Sequence, residues 1–148
     1  MASAPYPNFA TPRLTAIEAH EHAMSLPIAE IVRQLVALLG APTVATIGGV
    51  GETRAVHDWM TTRAPQRPNV LRFALQLATM IAAGNDQEVA RAWFHGGNPR
   101  LDDGVPALLL RDRPLSEIQG PLLAAARGFA ARTAVPRDPA QPTANGSL

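Results

Sequence analysis

Residues 69–83 read NVLRFALQLATMIAA, and this stretch decides the fold class. Its apolar side chains recur every three or four residues, which is the spacing of one face of an α-helix, and they form a stripe broad enough to be buried. The stripe consists of Leu71, Leu75, Ala78 and Ala82, with Ala74, Leu77 and Ile81 beside it. The spacing predicts a long helix over 70–83 with Asn69 as its N-cap.

The composition favours helices in the rest of the chain as well. Hydrophobic residues make up 47% of the 148 residues and charged residues 17%, which excludes a disordered polar chain. Aromatic residues are scarce, and Ala and Leu dominate, whereas β-sheet cores use Val, Ile and aromatic residues. The absence of cysteine excludes a disulfide scaffold, thiol catalysis and a Cys-bearing zinc site. We expect an all-α protein.

Three shorter helices are predicted before the long one. The first follows Pro27 and runs from Ile28 until Gly40 ends it, and the second begins near Pro42. A glycine-rich turn at 48–51 leads to the third helix, predicted over 52–62. Short helix, turn, short helix and a longer supporting helix is the layout of a helix-turn-helix unit.

The third helix has one apolar side and one polar side. Its apolar side carries Val56 and Trp59, and its polar side carries Thr53, Arg54 and His57. In a helix-turn-helix unit the exposed side of this helix enters the major groove of DNA, where Arg can bond guanine. The predicted DNA-binding residues are Thr53, Arg54, His57, Arg63 and Arg67. The alternative is a generic four-helix arrangement with a solvated arginine face.

The second half of the chain is also predicted to be helical. Asp86 is expected to cap a helix that carries Trp93 and Phe94, and Asn98 is expected to hold a tight turn. A short helix over 106–110 and a last helix over 116–132 follow. The expected organisation is a flexible arm (1–27), a DNA-binding module (28–84), a second module (85–131) and a flexible proline-rich tail (132–148).

Charge is distributed unevenly between these two modules. Residues 31–84 carry five Arg and two acidic residues, whereas residues 85–118 carry four Arg and six acidic residues. This asymmetry suggests two surfaces with different partners, although ordinary fluctuation explains it equally well. The chain shows neither a secretory signal nor an apolar run long enough to cross a bilayer, so the expected location is the cytoplasm, with no membrane contact.

Residues 89–94 (VARAWF) and 97–109 (GNPRLDDGVPALL) resemble the toxin-binding domain of Xre/MbcA/ParS-type antitoxins. That family has a Trp-bearing helix, an Asn-Pro loop, a Leu, a small turn, and then Pro and a Leu-rich helix. Its last helix closes on a Gly–aromatic–small sequence, which Gly128–Ala130 matches. Upstream, Val56 and Trp59 match the family's Val-x-x-Trp pair, and residues 65–69 match its proline-rich connection.

The resemblance implies an Xre-like helix-turn-helix bundle followed by a small helical toxin-binding domain. Relatives block RES-domain toxins, which degrade the nicotinamide dinucleotide pool, and repress their own operons by binding promoter DNA. A homodimer or a larger toxin–antitoxin complex is implied. The expected toxin-binding residues are Arg100, Arg111, Arg113, Arg127 and Phe129. The expected structural core includes Val56, Trp59, Trp93, Pro99, Leu101 and Leu108.

The same residues bear on two other functions. A stand-alone or phage-borne helix-turn-helix transcriptional regulator, without a toxin partner, would keep the same fold. An enzyme is disfavoured because the four His are scattered and the Asp102–Asp103 pair lies in a predicted turn. No glycine-rich phosphate loop follows a strand. We therefore expect no catalytic residue, no metal and no cofactor.

Overall fold

The computed structural model describes residues 15–133, and every regular element in that range is helical. The α-helices are α1 (Ala16–Ser25), α2 (Ile28–Leu39), α3 (Ala41–Gly48), α4 (Thr53–Trp59), α5 (Pro68–Ala82), α6 (Gln87–His95), α7 (Pro106–Asp112) and α8 (Leu115–Thr133). A single 3-10 turn (Pro99–Leu101) lies between α6 and α7. The all-α prediction is confirmed. The first part of the predicted arm (1–14) lies outside the described residues. The predicted tail also lies outside them, except for residues 132 and 133, which end α8.

None of the helices within residues 15–133 combines the length and the apolar character that crossing a bilayer requires.

Helix α5 is the centre of the fold. It packs against α1, α2, α3, α6 and α8, and ten of its fifteen residues are buried. It begins at Pro68 rather than after an Asn69 cap, because the fixed φ of proline suits the first helical position. One hydrophobic cluster extends from α1 to α8 and includes buried residues on both sides of position 84. The two predicted modules therefore share a continuous core.

The structure differs from the predicted flexible arm from residue 15 onward. Thr15 and Glu18 form a capping box, in which each side chain bonds the other residue's backbone N–H, and α1 starts there. Ala19 and Ala23 are buried, and their small side chains let α1 approach α5 closely. The prediction of an unpacked arm failed because two alanines at helical spacing are a weak hydrophobic signal.

Four arginines hold the carboxyl-terminal ends of five helices. Carbonyl groups in the last turn of a helix lack partners within that helix, and here guanidinium groups from other elements donate to them. The bonds run from Arg33 to Met60, from Arg67 to Ile47 and Leu110, from Arg72 to Ala23 and Leu26, and from Arg91 to Leu39. These donor–acceptor distances lie between 2.6 and 3.3 Å. The arginines therefore lock helices together across long sequence distances.

The turns of the second half follow the polar residues that were expected to form them. The Asp86 side chain accepts a hydrogen bond from the backbone N–H of Val89, and the Asn98 side chain accepts one from Arg100. Asp102 and Asp103 both have positive φ (55° and 65°), a left-handed conformation that Asp tolerates in tight turns.

The expected core residues divide into two groups. Val56, Trp59 and Trp93 are buried, and Leu101 is half-buried against the core. Pro99 and Leu108 are exposed, so neither is a core residue. The inward side of α7 is formed by Pro106, Ala107 and Leu110. Successive residues of a helix are rotated by about 100°, which places Leu108 away from that side.

Candidate nucleic-acid interface and partner-binding surface

Helices α3 and α4 are joined by a turn whose geometry is set by Gly49. Gly49 has a φ of 82°, the left-handed conformation that glycine adopts without strain. The N–H of Val50 donates to the carbonyl of Ala45 at 3.0 Å, and the N–H of Gly49 donates to that of Thr46 at 3.1 Å. These two bonds form a Schellman motif, which ends α3 and redirects the chain into α4.

Contact between Trp59 and Gly48 fixes how α4 lies on α3. A Cβ atom built on Gly48 would lie 2.5 Å from Cη2 of Trp59, so the indole packs directly against the glycine backbone. Arg33 donates from Nη2 to the carbonyl of Met60 at 2.9 Å and thereby ties the end of α4 to α2. The same guanidinium bonds Glu30 and lowers the pKa of that carboxyl.

The outward side of α4 is polar and open to solvent. Thr53, Arg54 and His57 are exposed, opposite the buried Val56 and Trp59. The Nδ1 atom of His57 lies 3.0 Å from the carbonyl oxygen of Thr53. A carbonyl oxygen can only accept a hydrogen bond, so Nδ1 is the donor. Nε2 takes no part in this hydrogen bond.

Arg54 and Arg63 flank a shallow hollow beside α4. The hollow has a volume of about 330 Å³, and Glu52 and Asp58 also line it. Neither Arg54 nor Arg63 makes a hydrogen bond or an ion pair with another residue of 15–133. Within the described part of the chain, their guanidinium donors are therefore open to a ligand.

Arg67 lies differently from the other four predicted DNA-binding residues. It is half-buried, and its guanidinium donates from Nη1 to Ile47 at 3.3 Å and from Nη2 to Leu110 at 2.8 Å. Its side chain also packs on Gly49, 3.2 Å from the place of a Cβ there. Two of its five N–H donors therefore join α3 to α7, and its contact with DNA stays a prediction.

Three of the expected toxin-binding residues lie near the end of α8. The guanidinium of Arg100 lies over Gly128, whose missing side chain leaves room for it, since a Cβ there would be 2.8 Å from Nη1. Phe129 is half-buried, and Cζ of Arg132 lies 5.9 Å from its ring centroid, within cation–π range. Arg127 is exposed on the same part of α8.

Arg111 lies in the last turn of α7, and Arg113 is the C-cap of α7, two residues before α8 begins. The Arg111 guanidinium donates two hydrogen bonds to Asp112, at 2.7 and 2.9 Å, which lower the pKa of the Asp112 carboxyl and raise the pKa of Arg111. Arg113 pairs with Glu117 at 3.3 Å. Twelve helical residues separate the start of α8 from Arg127, a rise of about 18 Å. The structure therefore divides the expected toxin-binding residues between two separate surfaces.

Sequence reasoning missed several contacts that position these surfaces. The hydroxyl of the buried Thr43 lies 2.6 Å from Nε2 of His95 and connects α3 to α6. The Trp93 ring packs edge-on against Phe94, with centroids 5.1 Å apart, and its buried Nε1 has no acceptor among residues 15–133. Thr43 and His95 lie 52 positions apart, so no local pattern could have indicated their contact.

No protein-family model, no curated protein and no solved structure matches this chain. The fold and the site define an all-helical protein in which a tight turn presents a short helix with an exposed, partly basic side. Within residues 15–133 no group of three His, Asp or Glu is placed to hold a metal ion.

Proposed function

We propose that α3 and α4 form a helix-turn-helix unit that binds promoter DNA, and that the protein is the antitoxin of a RES-domain toxin. The observation that carries the DNA-binding part is the outward side of α4, where Thr53, Arg54 and His57 are exposed while Val56 and Trp59 anchor the helix. In this proposal the protein works in the cytoplasm as a binding protein rather than an enzyme.

The contacts with DNA would be divided between base edges and the backbone. Arg54 lies near the start of α4, the part of a recognition helix that reaches base edges in the major groove, and Arg can make two hydrogen bonds to guanine. Arg63 follows the helix and suits a phosphate contact. Arg67 is expected to contribute less than Arg54 and Arg63, since two of its five N–H donors are bonded within the protein.

Substitution of the two open arginines tests the DNA-binding proposal. Arg54→Ala is expected to weaken binding to the DNA upstream of the gene by about 10- to 100-fold and to relax sequence preference, because one base contact is lost. Arg63→Ala is expected to weaken binding to all sequences evenly and to reduce the slope of log affinity against log salt by about 1. Fluorescence anisotropy with labelled duplexes, over a salt series, measures both.

The matched control is Arg113→Ala, which removes the same charge from an exposed residue outside α3 and α4. It is expected to leave DNA affinity within about twofold, since only charges near the duplex displace counterions. Equal losses for Arg54→Ala and Arg113→Ala would mean that binding is nonspecific. Absence of salt-sensitive binding by the natural sequence would refute the DNA-binding proposal.

The antitoxin part of the proposal is supported by the resemblance over residues 85–131. The surface around Arg100, Arg127 and Phe129 offers guanidinium groups beside a half-buried aromatic ring, which are the residue types that dominate protein interfaces. We propose that this surface covers the cofactor cleft of the toxin. Charge complementarity with acidic residues of that cleft would orient the complex.

Co-purification with the product of a neighbouring RES-domain gene tests the antitoxin proposal. We expect a stable complex in gel filtration and suppression of the toxin's NAD loss, with Arg127→Glu weakening the complex by about 30-fold or more, as for an interface hot spot. Arg63→Glu is the matched control, because it reverses the same charge at an exposed residue outside the expected toxin-binding set. Separate elution of the two natural proteins would refute the antitoxin role and favour the stand-alone regulator.

A further inference from the structure

Helix α1 carries exposed apolar side chains as well as its buried ones. Ile17 is 69% exposed and Met24 57% exposed, and the two lie seven residues apart, on the same side of the helix. His20 and Glu21 lie between them, also exposed. Ala19 and Ala23 pack inward, so the outer stripe of α1 (Ile17, His20, Glu21 and Met24) has no packing role within the described fold.

A groove runs beside the outer stripe, between α1 and α8. Its floor is formed by Phe73 and Gln76 of α5, and it contains two hollows of about 320 and 310 Å³. Arg127 of α8 also lines the second hollow, so the groove adjoins the proposed toxin-binding surface. Met24 borders the first hollow, Ile17 borders the second, and His20 borders both. Large apolar side chains beside an open groove are typical of a surface that another protein covers.

We propose that a second copy of this chain covers this surface, with its α1 antiparallel to the first. When the twofold axis passes between His20 and Glu21, Ile17 faces Met24 of the second copy, and His20 faces Glu21 of the second copy. A twofold interface repeats every contact, so the dimer gains two apolar contacts and two imidazole–carboxylate pairs. A parallel arrangement would instead place Glu21 against Glu21 of the second copy.

The groove accommodates this arrangement. Ile17 of the second copy lies over the hollow that Met24 borders, and Met24 of the second copy lies over the hollow that Ile17 borders. Helix α1 is only about 15 Å long, so the contact area is modest and we expect a dissociation constant in the micromolar range. The dimer does not depend on the proposed DNA binding. It would, however, supply two helix-turn-helix units, one for each half-site of an operator.

Sedimentation velocity of the full chain over about 1–200 µM tests the proposed dimer, because a micromolar interface dissociates within that range. Ile17→Glu and Met24→Glu are each expected to raise the dissociation constant by about 10-fold or more, since each brings a charge into an apolar contact. The matched control is Leu108→Glu, which alters another exposed apolar residue (41% exposed) that lies on α7. It is expected to leave the dimer unchanged, and circular dichroism verifies the fold of each variant.

Exchange of the two central residues tests the antiparallel register. His20→Glu places a carboxylate at position 20 opposite Glu21 of the second copy, and the twofold axis repeats this repulsion at a second place. The substitution is expected to weaken the dimer about 10-fold. The double variant His20→Glu, Glu21→His restores an opposed imidazole and carboxylate and is expected to recover the dimer. A natural chain that stays monomeric, or a dimer that Ile17→Glu and Met24→Glu leave intact, would overturn the proposal. Failure of the exchange to recover a weakened dimer would overturn the antiparallel register.

Discussion

Gly48→Ala is expected to lower the free energy of unfolding by about 2–3 kcal/mol, because the added methyl group overpacks the core. The new Cβ would lie 2.5 Å from Cη2 and 2.8 Å from Cζ3 of Trp59, closer than carbon atoms can approach. The Trp59 ring is buried and cannot turn into solvent without exposing its apolar surface. Urea denaturation, followed by circular dichroism, measures the change.

The sign of this effect is diagnostic. Gly48 is the last residue of α3, and in an unobstructed helix Gly→Ala stabilises by about 0.5–1 kcal/mol. Gly120→Ala supplies the control, since Gly120 lies in α8 and no atom outside its chain neighbours is within 4 Å of the added atom. Because Pro121 follows it and restricts an added Cβ, the substitution is not expected to stabilise as in an unobstructed helix, but it is expected to change stability less than Gly48→Ala. In a Trp59→Leu background Gly48→Ala should lose most of its effect, because the two residues in contact are coupled. A stabilising Gly48→Ala would show that Trp59 does not hold α4 on α3.

The same substitution connects the core to the proposed DNA binding. Displacement of Trp59 moves α4 away from α3, and with it Arg54 and His57. Even the molecules of Gly48→Ala that remain folded are therefore expected to bind operator DNA more weakly than the natural chain. Gly120→Ala is expected to leave binding unchanged, since it does not alter the contact between α3 and α4.

Much of the helical framework could be predicted because its signals are local. The apolar stripe of α5, the proline and glycine at the ends of α2, and the Asp86 cap each lie within a few residues of the structure that they determine. The outward side of α4 could be predicted for the same reason, since Val56 and Trp59 identify the inward side of a short helix.

The features that could not be predicted depend on contacts between distant residues. Whether Arg67 faces solvent or the interior is decided by the carbonyl of Leu110, which lies 43 residues along the chain. The packing of α1 depends on α5, and the exposure of Leu108 depends on which side of α7 meets the core. Arginine has a long apolar stem and a charged end, so the sequence alone does not determine whether the side chain faces solvent or the interior.

The continuous core has a consequence for how the protein unfolds. Residues 28–84 and 85–131 were predicted as two modules, but α6, in the second, packs against α2 and α5, in the first. Arg91 of α6 also donates to the carbonyl of Leu39 at the end of α2. Neither half can bury its apolar residues without the other, so the chain is expected to unfold in one cooperative transition.

Phe94→Ala is the second substitution with a large expected effect. Phe94 is fully buried on α6, and its removal is expected to cost about 3–5 kcal/mol, through lost burial and the cavity that remains. Because the core is shared, this loss should destabilise α4 as much as α6. Phe129→Ala, at a half-buried aromatic residue, is the control and is expected to cost less.

The two tryptophans let this loss be followed separately in each half. Trp93→Phe leaves Trp59 as the reporter of the first half, and Trp59→Phe leaves Trp93 as the reporter of the second. Within each single-tryptophan protein, fluorescence and circular dichroism are expected to give the same urea midpoint, and Phe94→Ala should lower that midpoint in both. If Phe94→Ala moved only the midpoint reported by Trp93, the halves would be independent domains, and the arginine and core contacts between them would contribute little to stability.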